Sequence, residues 1–236
     1  MPHAPHSQNR RTGPTDWRQR PVALFDLDGT LVDSAPDLAG ALNLLLVELG
    51  RPPLGLDQII AMVGNGAGKL VERGLRASRI DHDLSEATQR FMTLYGRNLV
   101  VQTRPYAGVV ANLTALRDQG WRMAICTNKP QWASRQILGQ LGLAGFFELV
   151  AGGDSYAVRK PDPGHLTQSL ARMGATNAPA VLVGDGAPDL QSALAAGLPA
   201  LWCRFGYINA EAQATARRAE VNSFEEITPA LLASLI

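Results

Sequence analysis

Two aspartates separated by one leucine, Asp26 and Asp28, stand directly after the apolar run Val22-Ala23-Leu24-Phe25 and before Gly29 and Thr30. On extended backbone, residues two apart point the same way, so this spacing delivers two carboxylates to one spot. One of them could attack phosphorus, since aspartate is a phosphoryl acceptor in covalent catalysis, while the other handles a proton. An aspartic acid in water is only about a thousandth protonated at pH 7, so an acid built from one depends on its neighbours. Other apolar runs end in Thr127-Asn128-Lys129 and in Gly184-Asp185-Gly186-Ala187-Pro188-Asp189, and Lys160 follows a third. A carboxylate cluster with one lysine suits Mg²⁺, a hard cation that prefers oxygen ligands and keeps waters a phosphate can replace. The ion or Lys160 would offset repulsion between the acids.

The elements that must position these groups follow from periodicity. Val22–Phe25 reads as a fully buried strand. From Pro36 to Leu49, Leu38, Leu42, Leu45, Leu46 and Leu49 recur at helical spacing, with Ser34 as a cap and Gly50 as a stop. Residues 56–99 carry only helical patterns, broken by Gly64-Asn65-Gly66-Ala67-Gly68. Beyond Arg104-Pro105-Tyr106 helix and strand alternate: helices at 109–119, 131–141, 163–173 and around 190–196, strands at 121–126, 147–150, 180–183 and 199–203. That succession predicts an α/β fold, a doubly wound parallel sheet with helices on both faces. In such sheets ligands bind outside the carboxyl ends of the strands, where the acidic and lysine loops fall. Residues 34–104 read as a helical insertion into a domain made of 21–33 and 105–236, and residues 210–236 as helical material packed on that domain. Residues 1–20, rich in arginine and proline, read as a flexible extension.

Composition narrows the function. Of 236 residues, 46% are apolar and 18% charged, so most of the chain can bury a core. With 22 basic against 21 acidic side chains and a net charge of +1, nothing attracts a polyanion in general, and no nucleic-acid partner is expected. No apolar stretch is long enough to span or be exported through a membrane, so a cytoplasmic protein without a membrane partner is expected. Cys126 and Cys203 sit in core-strand runs and read as reduced, buried thiols.

In order, Asp26-Leu27-Asp28-Gly29-Thr30-Leu31-Val32-Asp33-Ser34, Thr127-Asn128-Lys129, Lys160-Pro161-Asp162 and Gly184-Asp185 through Asp189 resemble the four motifs of the haloacid dehalogenase superfamily phosphatases. The resemblance runs from about Pro21 to Gly206, and the insertion sits where that superfamily has its α-helical cap. Within it, Met62-Val63-Gly64-Asn65-Gly66, Leu70-Val71-Glu72-Arg73, Arg104-Pro105-Tyr106 and Gly152-Gly153-Asp154-Ser155 resemble the phosphoglycolate phosphatase group. The resemblance implies a Rossmann-like core and Mg²⁺-dependent hydrolysis of a small phosphoester through an aspartyl-phosphate, 2-phosphoglycolate first among the substrates. Another small ester, such as a sugar phosphate, a nucleotide or pyrophosphate, is the alternative; a non-catalytic phosphate-binding or regulatory protein is the other. By the same resemblance Asp26 is the nucleophile, Asp28 the acid and base, and Thr127, Asn128 and Lys160 bind substrate. Asp26, the Asp28 backbone carbonyl and Asp185 hold Mg²⁺, with Asp189 steadying them. Gly186 and Pro188 depart from the motif, where relatives commonly carry a polar residue and often Asn, so the ion's surroundings are expected to differ. The cap is expected to hinge near Asp33-Ser34 and Arg104-Pro105.

Other features read as structure. Gly64 to Leu70 lacks the spacing, the hydroxyl residue and the preceding strand of a phosphate loop and is read as a cap loop. Arg73 is read as a helix-surface arginine in preference to a contact for a substrate carboxylate. His82 and His165 have no partner at ligand spacing and receive neither a metal nor a catalytic role. Trp121 and Trp132 read as packing. Lys69, Lys129 and Lys160 are the only lysines, and each lies in or beside a motif loop. Their places suggest a need for a compact ammonium, first of all at Lys160, and only Lys160 is assigned a task.

Overall fold

The structure, a computed structural model, describes residues 17–207, 210–215 and 219–236. The first sixteen residues of the expected extension lie outside the described residues. The chain runs β1 (Val22–Phe25), β2 (Val32–Asp33), α1 (Ala35–Glu48), α2 (Leu56–Ile60), α3 (Ala67–Ala77), α4 (Leu84–Gly96) and β3 (Arg104–Pro105). It continues α5 (Val109–Asp118), β4 (Arg122–Cys126), α6 (Gln131–Gln140), β5 (Leu149–Ala151), α7 (Gly164–Arg172), β6 (Ala180–Gly184) and α8 (Ala187–Ala195). It ends β7 (Ala200–Cys203), α9 (Ala210–Ala214), β8 (Ala219–Val221) and α10 (Pro229–Ala233).

Six strands pair in parallel in the order β5-β4-β1-β6-β7-β8. Because side chains alternate along a strand, each apolar run feeds two cores. Phe25, Ile125 and Val183 face Leu113 of α5 and Ile137 of α6 on one side; Leu24, Ala124 and Leu182 face Leu166 of α7 and Leu190 of α8 on the other. The chain leaves β1 toward β4 and β5, then returns to lay down β6 on β1's other edge. That reversal opens a crevice at the carboxyl ends of β1 and β6, where doubly wound sheets bind ligands.

The structure adds to or differs from the sequence reading at three places. Residues 210–236, expected to hold helical material packed on the sheet domain, also contribute β8, which extends the sheet by pairing with β7 from Leu201↔Ala219 to Cys203↔Val221. Three residues with one large apolar side chain hold no detectable period. The expected hinge segments also pair with each other, β2 against β3, through Val32↔Pro105 and Asp33↔Arg104. Helix α8 starts at Ala187, before the expected Leu190, because a proline in the first turn breaks no internal hydrogen bond.

The helices between β2 and β3 roof the crevice. Asp37, buried at the start of α1, accepts hydrogen bonds from the backbone of Val101 (3.0 Å) and Thr103 (2.8 Å) and from Thr103 Oγ1 (2.7 Å), tying the two ends of the insertion together. Gly74 of α3 lies so close to Leu42 of α1 that a Cβ there would sit 2.9 Å from a leucine methyl. Phe91 and Tyr95 stack along α4, centroids 5.8 Å apart. Among the described residues, no helix is long and apolar enough to cross a membrane.

Helix α7 buries His165 completely, its Nε2 3.1 Å from the Gly152 carbonyl oxygen. Burial, and then the charge of Lys160, push its pKa down to about 4. The unfolded imidazole takes up a proton below about pH 6.5 while the folded one does not until pH 4, so this group removes stability as pH falls through that window. Between pH 7 and pH 5 the loss comes to about 2 kcal/mol. Urea unfolding at both pH values is expected to show a smaller drop for His165→Gln than for the wild type, by about that amount; equal drops refute it.

Candidate functional site

The ladder of β1 continues one residue past the strand, with Asp26 N–H donating to Val183 O at 2.9 Å, so the Asp26 carboxyl is fixed at the crevice floor. Lys160 Nζ, brought by the loop after β5, is 3.0 Å from Asp26 Oδ1 and also binds Asp189 Oδ1 from the first turn of α8. Asp185 follows β6. One oxygen each of Asp26, Asp185 and Asp189 lie within 4.8 Å of one another, and all three residues are buried. Asp185 accepts from Thr30 Oγ1 and from Tyr207 N–H, each at 2.8 Å. Backbone packs tightly against it: Gly29 adopts φ 83°, and a Cβ at Gly29 or Gly206 would collide with the Asp185 side chain.

Three carboxylates face one ammonium here. Burial, then the charges of Asp26 and Asp189, push the Asp185 carboxyl well above the ordinary aspartate range. Burial also raises Asp189, to about 6, against the lowering pull of Lys160. Burial works against the charge of Lys160, yet Asp189 and Asp26 together hold its ammonium above the ordinary lysine value. The pocket thus has more negative charge than it can balance, and its donors are carboxylate oxygens with no nitrogen or sulfur. That set fits a hard divalent cation of the Mg²⁺ kind. At position 186 the backbone N–H, which any residue but proline would supply, donates to Asp189 Oδ2 at 3.0 Å, so this contact does not depend on the departure to glycine.

A second group forms beside the first. Lys129 Nζ lies 3.0 Å from both oxygens of Asp28, donates to Tyr95 Oη of α4 at 2.7 Å and stands 4.6 Å from that ring's centroid. Ser34 Oγ also donates to Asp28, at 2.5 Å. Lys129 is raised above its ordinary value: burial opposes its charge, and Asp28 and Tyr95 more than offset it. Tyr95 is pushed up to about 12, first by burial. Asp26, Asp28, Thr127, Asn128 and Lys129 line one cleft of about 500 Å³, solvent at its mouth included, roofed by Leu38, Val63, Gly64, Gly66, Leu70, Phe91 and Met92.

The structure brings Asp26, Lys160, Asp185 and Asp189 into one cluster, and sets Asp28, Thr127 and Asn128 around the adjoining cleft; Asp26 belongs to both. Thr127 is buried, its Oγ1 accepting from Lys129 N–H at 3.2 Å. Asn128 spends its amide donors on Gly64 O (3.2 Å) and Lys160 O (2.9 Å), and its Oδ1 is buried without a partner among the described residues. Arg73 is a correction: its guanidinium donates to Met62 O and Asn65 Oδ1, each at 2.8 Å, so it braces the glycine loop and neither lies free on the helix surface nor reaches for substrate. Sequence reading missed Tyr95, Ser34 and Tyr207, and gave Lys129 no role. Its place among three lysines was the available signal. Tyr207 Oη accepts from the backbone of Ser34 (2.7 Å) and Ala35 (2.8 Å) and donates to Asp33 (2.9 Å), pinning the entry to the insertion.

A doubly wound sheet with buried acids gathered at its switch point, under helices inserted after the first strand, is an α/β protein with a ligand site at the carboxyl ends of its strands. Residues 23–203 match the family model described as haloacid dehalogenase-like hydrolase, and the chain belongs to that family. It is similar to a phosphoglycolate phosphatase of Caulobacter vibrioides, 37% identical over 214 residues covering 89% of this chain and 90% of the relative. It is also similar to one of Pseudomonas putida, 42% identical over 192 residues, 79% of this chain and 70% of the relative. Among solved structures, a predicted phosphoglycolate phosphatase from Haemophilus somnus 129pt superposes with a TM-score of 0.81 at 30% identity, covering 89% of this chain and 96% of that one.

The lysine in the acidic cluster can be tested apart from turnover. In metal-free buffer, Lys160→Met leaves buried carboxylates uncompensated and is expected to cost about 3–5 kcal/mol in chemical denaturation. Adding Asp189→Asn should restore part of that loss; a double variant no more stable than the single one contradicts the pairing.

Proposed function

We propose that this hydrolase is a Mg²⁺-dependent phosphomonoesterase that cleaves a small anionic ester, 2-phosphoglycolate, to glycolate and phosphate. The observation that carries the reading is the position of Asp26, whose carboxylate belongs both to the buried acidic cluster and to the roofed cleft. The names of the relatives support the substrate. Residues 34–104 act as a cap that excludes water during the reaction, with residues 21–33 and 105–236 as the catalytic core. A cytoplasmic setting belongs to the same reading, supported by two buried, unpaired cysteines.

Asp26 attacks phosphorus in line, forming the aspartyl-phosphate as the bond to the ester oxygen breaks. The departing alkoxide takes its proton from Asp28. Asp28, now a carboxylate, removes a proton from water, which attacks the same phosphorus and releases phosphate from Asp26. Thr127 and Lys160 bind the transferring oxygens, and the Asp189 contact fixes Lys160 where it reaches both Asp26 and the phosphoryl group. Ser34 and Lys129 hold the Asp28 carboxyl against the cleft wall. Asp26, the Asp28 backbone carbonyl and Asp185 would hold Mg²⁺, which when bound neutralises charge on the pocket and on the phosphoryl oxygens. Positioning and charge neutralisation supply most of the catalysis in phosphoryl transfer.

Asp26→Asn is expected to lower kcat by about 10³-fold or more with the fold intact, and to lose the acid-stable phosphoryl label that wild type acquires under rapid quench. A variant that still turns over removes Asp26 as nucleophile. Across a panel of small phosphoesters, 2-phosphoglycolate should give the highest kcat/KM, and a lower rank overturns the substrate.

Mg²⁺ at about 100 times its Kd should stabilise the wild type by about 2.7 kcal/mol, read as a rise in Tm. Asp185→Asn should abolish the rise, and a rise that survives it places the ion elsewhere.

A further inference from the structure

Gly152-Gly153-Asp154-Ser155, the four residues after β5, have no part in the chemistry described so far. They lie against the loop that follows β4 and carries Thr127. Strands β4 and β5 pair as far as Cys126↔Ala151, and hydrogen bonding runs on past both strand ends. Thr127 N–H donates to Ala151 O at 3.0 Å, and Gly153 N–H donates to Lys129 O at 2.9 Å. Asp154 Oδ1 then accepts from the N–H of Gln131, the first residue of α6, at 2.8 Å. That helix follows Pro130, whose side chain caps nothing, so the acid that closes its start comes from the neighbouring loop. Two glycines let the backbones come this close: a Cβ at Gly153 would collide with the Asn128 carbonyl oxygen, and one at Gly152 with the backbone nitrogen of Gln131. The turn is itself braced, with Gly152 N–H donating to Ser155 Oγ at 2.8 Å and Gly152 O 3.1 Å from the buried His165 Nε2 of α7.

We propose that Gly152, Gly153 and Asp154 are positioning residues for phosphoryl binding: they form a cradle that fixes the backbone of residues 127–131 and so sets where Thr127 meets the phosphoryl group. The proposal rests on the phosphatase reading above, in which Thr127 binds the transferring oxygens, and adds the part of the chain that holds Thr127 in place. A hydroxyl donor stabilises a transition state only where it is aimed at the developing charge, and a misplacement on the order of 1 Å can cost about 100-fold in rate. Between β4 and α6 the loop has only the four residues Thr127 to Pro130, so it has few torsions with which to absorb a push from one side. None of the cradle's contacts involves Asp26, Asp185 or Asp189, so the acidic cluster is supported separately.

The test measures binding of inorganic phosphate, by calorimetry in saturating Mg²⁺, to the wild type, Asp154→Ala, Asp154→Asn, Gly153→Ala and Gly139→Ala. Gly139 is an exposed residue of α6 where a Cβ meets nothing within 4 Å, and its variant is the control. Asp154→Ala should raise the phosphate Kd by about 2- to 10-fold, as expected for one lost hydrogen bond. Gly153→Ala, which displaces the loop itself, should raise it by about 10-fold or more. Asp154→Asn keeps an oxygen acceptor and should stay near the wild type, as should Gly139→Ala. In every variant kcat/KM should follow phosphate affinity, while the Mg²⁺-induced rise in Tm stays as in the wild type. An unchanged phosphate Kd in Asp154→Ala overturns the cradle, and so does a loss of the Mg²⁺ response along with phosphate binding, because that marks general damage to the site. Asp154 is exposed, so Asp154→Ala decides if Gly153→Ala does not fold. If the wild type binds phosphate more tightly than Asp154→Ala yet hydrolyses no phosphomonoester, the cradle stands and the phosphatase reading falls. If the wild type hydrolyses phosphomonoesters and the variants bind phosphate equally well, the reverse holds. A wild type that binds no phosphate overturns both.

Discussion

Carboxylates packed into a dry crevice repel one another, and each has lost the water that would stabilise its charge. In this protein that problem is concentrated at one point, where β1 and β6 deliver Asp26, Asp185 and Asp189 to a space less than 5 Å across. The Lys160 ammonium, held between Asp26 and Asp189, is the cation that lets them coexist there. One positive charge against three negative ones leaves a remainder. Burial first, and then the charges of Asp26 and Asp189, raise the pKa of Asp185, and together they make the pocket a place where a divalent cation or a proton is stabilising. The acids sit here because the strand order reverses here: a crevice between two diverging connections accepts polar loops that the middle of a doubly covered sheet would exclude.

The two buried lysines divide the work in a way that one could not. Lys160 faces the acids of the sheet floor, and Lys129 faces Asp28 and the tyrosine of the roof. Both are desolvated, and both keep their charge because each has a carboxylate partner at 3.0 Å. A compact ammonium suits these positions better than a guanidinium, whose planar fork needs more room and a flatter partner. That is consistent with lysine being confined to three positions in a chain that otherwise uses arginine.

Much of this is legible in the sequence. Runs such as Val22–Phe25 and Ala180–Val183 are apolar on both faces, which only a sheet covered on both sides tolerates, so the fold class followed from pattern. The polar residues just beyond those runs had to share an edge, which put Asp26, Lys160 and Asp185 together. What could not be read depended on contacts between segments remote in sequence. Tyr95 looks like one more apolar position of an amphipathic helix, and only the docking of α4 over the cleft brings its hydroxyl to Lys129. Tyr207 follows a glycine in a loop and carries no pattern at all, yet it fixes the entry to the insertion. Arg73 appeared to be a surface residue because periodicity places a side chain on a helix face without saying what loop folds back onto that face. Strand β8 is three residues long, below the length at which alternation can be distinguished from chance.

The loop after β4 ties these observations together. Three consecutive residues serve three different surfaces: Thr127 lines the cleft beside Asp26, Asn128 reaches Gly64 of the roof and Lys160 of the floor, and Lys129 reaches Tyr95 of the roof and Asp28. Consecutive residues on one short loop cannot move independently, so the position of the roof and the positions of Asp28 and Lys160 are mechanically linked through it. Displacing the roof would break the Asn128–Gly64 and Lys129–Tyr95 contacts together, and both belong to the residues that flank Asp26 and Asp28. A roof built this way is also a support: its position helps to fix Asn128 and Lys129, and through Lys129 the Asp28 carboxylate.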